Sequence, residues 1–183
     1  HLAAQRIAAR GSFPDSLESL LELPGVGAYT ARAVLAFAFE ADSAVVDTNI
    51  ARVYARVEGR RLTAKQVQSS ADEALPTGQA WAWNQALMDL GAVLCRPQTP
   101  DCGACPLAST CRWALAGRPS PDPAEGSAGV SGRQAPFVGS DRQARGRLLR
   151  ALGDRPVASS DVAAVMGRSG KHAASLTSAL VAE

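Results

Sequence analysis

Four cysteines fall within seventeen residues, at Cys95, Cys102, Cys105 and Cys111, and the chain has no others. The spacing C-x6-C-x2-C-x5-C lets four thiolates from one short loop converge on a single centre. Such a ligand set is chemically acceptable both to zinc and to a 4Fe–4S cluster. Zinc fingers and ribbons usually offer two C-x2-C-like knuckles, and here only Cys102 and Cys105 form one. The spacing therefore favours iron–sulfur, with zinc as the alternative. Two disulfides would also use an even count. The ordinary mixed composition suits the cytosol, where disulfides are rare.

Two further segments carry chemistry. In Val45-Val46-Asp47-Thr48-Asn49, the aspartate stands directly before an amphipathic pattern, where Asp commonly caps a helix. The positive end of a helix favours the ionised carboxylate. An ionised carboxylate beside a sugar can stabilise an oxocarbenium-like transition state, or attack it. Asn49 is placed to orient a water or to bond a sugar–phosphate. In Leu23-Pro24-Gly25-Val26-Gly27, two helical patterns meet across two glycines. Without Cβ atoms there, backbone amides can approach a ligand closely. Those amides open the next helix, an arrangement that favours a phosphate. It grips a nucleic-acid backbone without reading bases. A helix–helix turn that needs glycine for geometry alone would look the same.

The elements that must hold these residues read as helical throughout. Ser16 is placed to cap a short helix carrying Leu17, Leu20 and Leu21, which Pro24, Gly25 and Gly27 end. A second helix is expected from about Ala28 to Phe39. A third follows Asp47, with Ile50, Val53, Tyr54 and Val57 at helical spacing. Thr63 caps a fourth through Val67, Ala71 and Leu75. A fifth holds Trp81, Ala86, Leu87, Leu90 and Val93 and delivers Cys95. Trp81, Trp83 and Phe37 are expected to pack in the core or between helices. Residues 117–136, rich in Pro, Gly and Ser, read as a linker. Residues 137–183 read as a basic helical segment with helices at 141–152, 159–166 and 171–182, the second capped by Ser159 or Ser160. Either a helix-turn-helix or winged-helix fragment or a generic bundle fits that pattern. Both chain ends fall inside helical patterns, so further sequence is expected on each side.

The 183 residues are 46% hydrophobic, enough for a sizeable core. No apolar run approaches the ~18–20 residues of a membrane helix. Charge is uneven. Residues 1–116 carry 10 Lys/Arg against 11 Asp/Glu, while residues 133–183 carry 8 against 4. A neutral body with a basic tail suits an acidic partner of the tail. Arg32 and Arg52 are candidates for phosphate contact or surface salt bridging, and His1 and His172 read as lone exposed residues.

As an ordered set, the hairpin, Asp47 and the four cysteines resemble the helix-hairpin-helix DNA glycosylase superfamily with an iron–sulfur loop. The resemblance covers roughly residues 1–113. It implies an all-α fold: a glycosylase core with a cluster loop over 1–116, the 117–136 linker and the 137–183 helical segment. It also implies DNA bound at a cleft with the target nucleotide flipped out. Endonuclease III-like members carry a lysine two residues after the second hairpin glycine, where it forms a Schiff base with the sugar. Here that position is Tyr29, and Lys65 and Lys171 are the only lysines. Asp-Thr-Asn at 47–49 also differs from the Asp-Thr-His usual in that branch. The segment Asn84 to Cys95 resembles the approach to the cluster in MutY-type adenine DNA glycosylases.

The resemblance thus implies a monofunctional enzyme removing adenine opposite 8-oxoguanine or guanine, with an endonuclease III-like glycosylase/lyase or a non-catalytic DNA-binding fragment as alternatives. It casts Asp47, Asn49 and Tyr29 as catalytic, Leu23, Gly25, Val26 and Gly27 as DNA-binding, and Cys95, Cys102, Cys105 and Cys111 as ligands of a 4Fe–4S cluster. A monomer acting on mispaired duplex DNA in the cytoplasm is expected, nucleoid-associated if bacterial. The glutamate that protonates the base in that family lies upstream of the residues present, and Glu18 and Glu22 read as surface residues. A Nudix-like β domain reads 8-oxoguanine in many relatives, and residues 137–183 show no such β pattern.

Overall fold

The computed structural model describes residues 1–127 and 136–182. It divides into two compact units, His1–Ser131 and Gly132–Glu183. Every regular element among the described residues is helical. No described helix is long and apolar enough to cross a membrane.

In the first unit, α1 (Leu2–Arg10) lies against the hairpin formed by α2 (Leu17–Leu21) and α3 (Ala28–Ala38). α2 opens on a capping box, with Ser16 accepting from the Ser19 amide. Leu20, Leu23, Ala31 and Leu35 form the hairpin's own core. At five and eleven residues these helices are marginal alone, so packing rather than propensity holds them.

α4 (Thr48–Glu58) is the central element, buried from Ile50 through Arg56. It packs with α5 (Ala64–Ala74), α6 (Ala80–Asp89), a π-helical turn (Leu90–Leu94) and α7 (Arg112–Leu115). Small residues at Ala51 and Ala55, both fully buried, let neighbours approach closely. Asp47 caps α4 and Thr63 caps α5 in a capping box with Gln66, as the pattern predicts. Trp81 packs between helices rather than in the core: it is 51% exposed and meets the edge of Phe37 on α3, with ring centroids 6.4 Å apart.

Residues 117–136 read as a linker, but residues 119–127 pack on the first unit. Asp122 pairs with Arg56 at 2.6 Å, Ala124 is buried, and the Ser127 hydroxyl accepts from the Leu62 amide. One ion pair and a few hydrogen bonds outweigh the composition of the segment. The rest of that stretch, 128–135, lies outside the described residues.

The second unit contains α8 (Asp141–Asp154), α9 (Val162–Met166) and α10 (Gly170–Ala182) around Ala144, Leu148, Met166 and Ala173. Neither Ser159 nor Ser160 caps α9. Asp161 holds that position without a side-chain cap, and Ser160 donates to Asp161 instead.

Candidate functional site

The hairpin turn is built as the glycines suggest. Gly25 has φ 78°, a conformation other residues adopt only under strain, and Gly27 precedes α3. Leu23 anchors the turn from below, 8% exposed, and its carbonyl accepts from the Val26 amide at 3.1 Å. A Cβ added at Gly25 or Gly27 would meet nothing within 4 Å. The glycines therefore do not serve helix–helix packing. They leave open the side from which a ligand would reach the first amides of α3.

Asp47 sits at the start of α4 with both oxygens engaged. Oδ1 accepts from the Ile50 amide at 2.7 Å and Oδ2 from the Asn49 amide group at 3.2 Å. Asn49 Oδ1 in turn accepts from Arg52 Nη2 at 2.8 Å. Arg52, 4% exposed, also donates to the carbonyls of Cys95 at 2.7 Å and Gly91 at 2.6 Å. A continuous hydrogen-bonded line therefore joins Asp47, Asn49 and Arg52 to the first cysteine's backbone. Burial lowers the Arg52 pKa, opposed by the charges of Cys95 and Asp47. Arg52 is thus an interior positioning group rather than a phosphate contact or a surface salt bridge. Arg32 pairs with Asp72 at 2.8 Å.

Two residues outside the sequence-based set fix this arrangement. Asn84, 1% exposed, accepts from the Val45 amide and donates to the Ser43 and Ala80 carbonyls, pinning the strand of chain that delivers Asp47. Gly91 lies so close to α4 that a Cβ there would be 2.6 Å from the Asn49 Cβ. A glycine interrupting an otherwise helical pattern was the available signal for Gly91. A polar residue inside the apolar stripe of α6 was the signal for Asn84.

Tyr29 lies in the first turn of α3, 49% exposed. It lines a cavity of about 390 Å³ together with Leu17, Leu21, Arg32, Val46 and Val67. Val46, beside Asp47, shares that wall, but no hydrogen bond joins Tyr29 to Asp47 or Asn49 among the described residues.

Cys95, Cys102, Cys105 and Cys111 are unpaired and together line a second, apolar cavity of about 30 Å³. Burial raises the Cys95 thiol pKa. A hydrogen bond from Arg56 Nη1 to the Cys95 sulfur, at 3.3 Å, and the charges of Arg56 and Arg52 oppose that rise. The two guanidiniums reduce that rise without reversing it. Among the described residues no three His, Cys, Asp or Glu side chains are gathered tightly enough for a single metal ion.

A helix-hairpin-helix motif model matches residues 9–37. The chain matches a solved thermostable thymine-DNA glycosylase with TM-score 0.60 at 32% identity, covering 63% of this chain and 56% of that one. An endonuclease III–DNA covalent intermediate matches with TM-score 0.56 at 29% identity, covering 64% and 57%. The matched region thus has the fold of helix-hairpin-helix DNA glycosylases.

In sequence the chain resembles MutY-type adenine DNA glycosylases. It is 43% identical over 145 residues to the adenine DNA glycosylase of Mycolicibacterium smegmatis, covering 77% of this chain and 47% of that protein. It is 45% identical over 145 residues to that of Mycobacterium tuberculosis, covering 76% and 45%. The human adenine DNA glycosylase is 40% identical over 109 residues, covering 56% and 20%. The chain spans about half the length of its mycobacterial relatives.

Proposed function

We propose that the full-length protein is a monofunctional adenine DNA glycosylase, hydrolysing the N-glycosidic bond of adenine opposite 8-oxoguanine or guanine in duplex DNA. The observation that carries this reading is the carboxylate of Asp47, which is oriented by the Ile50 amide and by Asn49 and whose neighbour Val46 lines one cavity with Ala28 and Tyr29 of the hairpin's second helix. The hairpin holds the backbone through Gly25, Val26 and Gly27. Asp47 faces the cationic sugar as the base departs, and Asn49 keeps its carboxylate in place. Tyr29 supports the same centre from the cavity wall. The acid that protonates the adenine is assigned to sequence outside these 183 residues. The enzyme acts as a monomer in the cytoplasm.

Tyr29 has no amine, so no Schiff base forms at the position that carries lysine in glycosylase/lyases. On a duplex with adenine opposite 8-oxoguanine, the full-length protein is expected to release adenine and leave an unbroken strand bearing an abasic site. Efficient strand nicking, or borohydride trapping of a covalent complex, would instead establish the lyase reading.

The four cysteines hold a 4Fe–4S cluster on this reading. Support comes from four free thiols sharing one apolar cavity and from Arg56 donating to the Cys95 sulfur. A cluster spreads its thiolates over four irons, whereas zinc demands that all four sulfurs lie ~2.3 Å from one ion. The bound cluster supplies structural cross-linking of the loop and hydrogen-bond-tunable redox chemistry. Anaerobically purified protein is expected to be brown and to contain about four irons per chain. Colourless protein with one stoichiometric zinc would establish the alternative.

A further inference from the structure

The second unit has a charge and a topology that the glycosylase reading leaves unused. Its described residues, 136–182, carry seven Lys/Arg against three Asp. α9 and α10 are joined by Gly167, Arg168 and Ser169, with Gly167 closing α9 at φ 64°. A helix, a tight glycine-containing turn and a longer helix, packed together on α8, form a helix-turn-helix arrangement. In such units the second helix of the pair enters the major groove while neighbouring elements meet the phosphates.

Charge is gathered at the turn. The Arg147 guanidinium lies over Gly167, so close that a Cβ there would be 2.8 Å from Nη1. Arg168 stands in the turn, and Lys171 lies in the first turn of α10. Asp141 is already occupied: it accepts from Arg168 Nε at 3.0 Å and lies 3.1 Å from His172 Nε2, tying the turn to the start of α8. Asp161 precedes α9, at the end away from the turn, and Asp154 ends α8. Arg147 and Lys171 are exposed and make no hydrogen bond or ion pair among the described residues. α10 buries Ala173 and half-buries Leu176, Thr177 and Leu180, so its outward face carries Lys171, Ala174, Ser175 and Ser178. That face has no acid to repel phosphate. It also lacks the Arg, Asn or Gln that read bases bidentately.

We propose that residues 137–182 form a second duplex-DNA module, seating the α9–α10 turn on the backbone through Arg147 and Lys171 without sequence preference. It goes beyond the glycosylase assignment. Joined to a near-neutral catalytic unit, it raises that unit's effective concentration on DNA and supplies the salt-dependent part of binding that hairpin amides do not.

Binding of the full chain to an undamaged synthetic duplex, titrated with NaCl, tests this. Each lost phosphate contact removes about 0.9 from the slope of log affinity against log salt. R147Q/K171Q should therefore flatten the slope by roughly 2 and weaken binding roughly ten- to a hundredfold near 0.1 M salt. R147K/K171R should keep the parental slope. Gly27→Val should weaken binding without changing the slope, because it obstructs amides and leaves the basic module untouched. If R147Q/K171Q, with unchanged helicity and Tm, binds duplex with parental slope and affinity, the module is not a DNA binder, whatever Gly27→Val does. If R147Q/K171Q loses affinity while Gly27→Val does not, this proposal stands and the hairpin assignment falls.

Discussion

Asp47→Asn in the full-length protein is expected to fold, retain its cluster and bind the mispaired duplex, while excising adenine on the order of 10²–10³-fold more slowly. The reason lies in what each oxygen does. Oδ1 caps α4 by accepting from the Ile50 amide, and Asn caps about as well as Asp. Oδ2 accepts from Asn49, whose own carbonyl oxygen is held by Arg52. An amide at position 47 therefore turns an NH2 towards the NH2 of Asn49, which cannot rotate without abandoning Arg52. That mismatch costs about 1–3 kcal/mol, well short of unfolding a domain of ordinary stability. The larger loss is kinetic. The negative charge facing the developing cation is gone from a preorganised site, where such groups matter most. Single-turnover excision measures the rate, and band-shift titration measures binding separately. Near-parental excision by a folded variant would show that Asp47 is only a cap.

The residues proposed to carry the chemistry stand out in the sequence because each is marked by a local pattern. Ser16, Asp47 and Thr63 cap the helices that follow them, since a side-chain oxygen reaches an amide three residues on. The hairpin glycines and the cysteine spacing are equally local. What holds these residues in place was not legible. Arg52 reads in sequence as a candidate for phosphate contact or surface salt bridging and nothing local singles out Arg56, yet both are buried. Besides Asn49 and Asp122, their partners include carbonyls and a sulfur some forty positions away, where the loop leaving the π-helical turn has turned its backbone oxygens inward. Arginine, with five donors in a fixed fork, can satisfy several such oxygens at once. No local pattern encodes that need. Asn84 and Gly91 do interrupt a local pattern, but the partners that place them, Val45 and Asn49, are remote in sequence. The apparent linker misled for the complementary reason: composition records the lack of a core pattern over 119–127, and misses Asp122, which has a buried cation waiting for it.

Arg56→Ala is expected to destabilise the first unit by roughly 3–5 kcal/mol, the cost of breaking a buried ion pair by removing one partner. Arg56 is 2% exposed and donates to Asp122 at 2.6 Å, to the carbonyls of Arg96 at 2.8 Å and Pro97 at 2.9 Å, and to the Cys95 sulfur at 3.3 Å. Its guanidinium also lies 4.8 Å from the centroid of the Trp113 ring. Burial alone would lower its pKa, but the bonds to Asp122 and Cys95 outweigh that, so it stays charged. Truncation strands a carboxylate that is 17% exposed, leaves carbonyls unpaired and opens a hole beside the cysteine loop. A loss of that size lowers Tm by roughly 10–20 °C in a unit of this length. Arg56→Lys should recover only part of it, because an ammonium cannot span Asp122, the carbonyls and the sulfur together. Iron content should fall with stability in Arg56→Ala, since the same side chain holds the sulfur and carbonyl of Cys95. Asp122→Asn removes the pair but keeps an oxygen for the Ala124 amide, so its cost should be smaller, about 1–3 kcal/mol. Thermal melts and iron assays on the three variants order these effects. An Arg56→Ala protein that melts with the parent and holds its full iron would show that the arginine neither locks the 119–127 segment nor supports the cysteine loop.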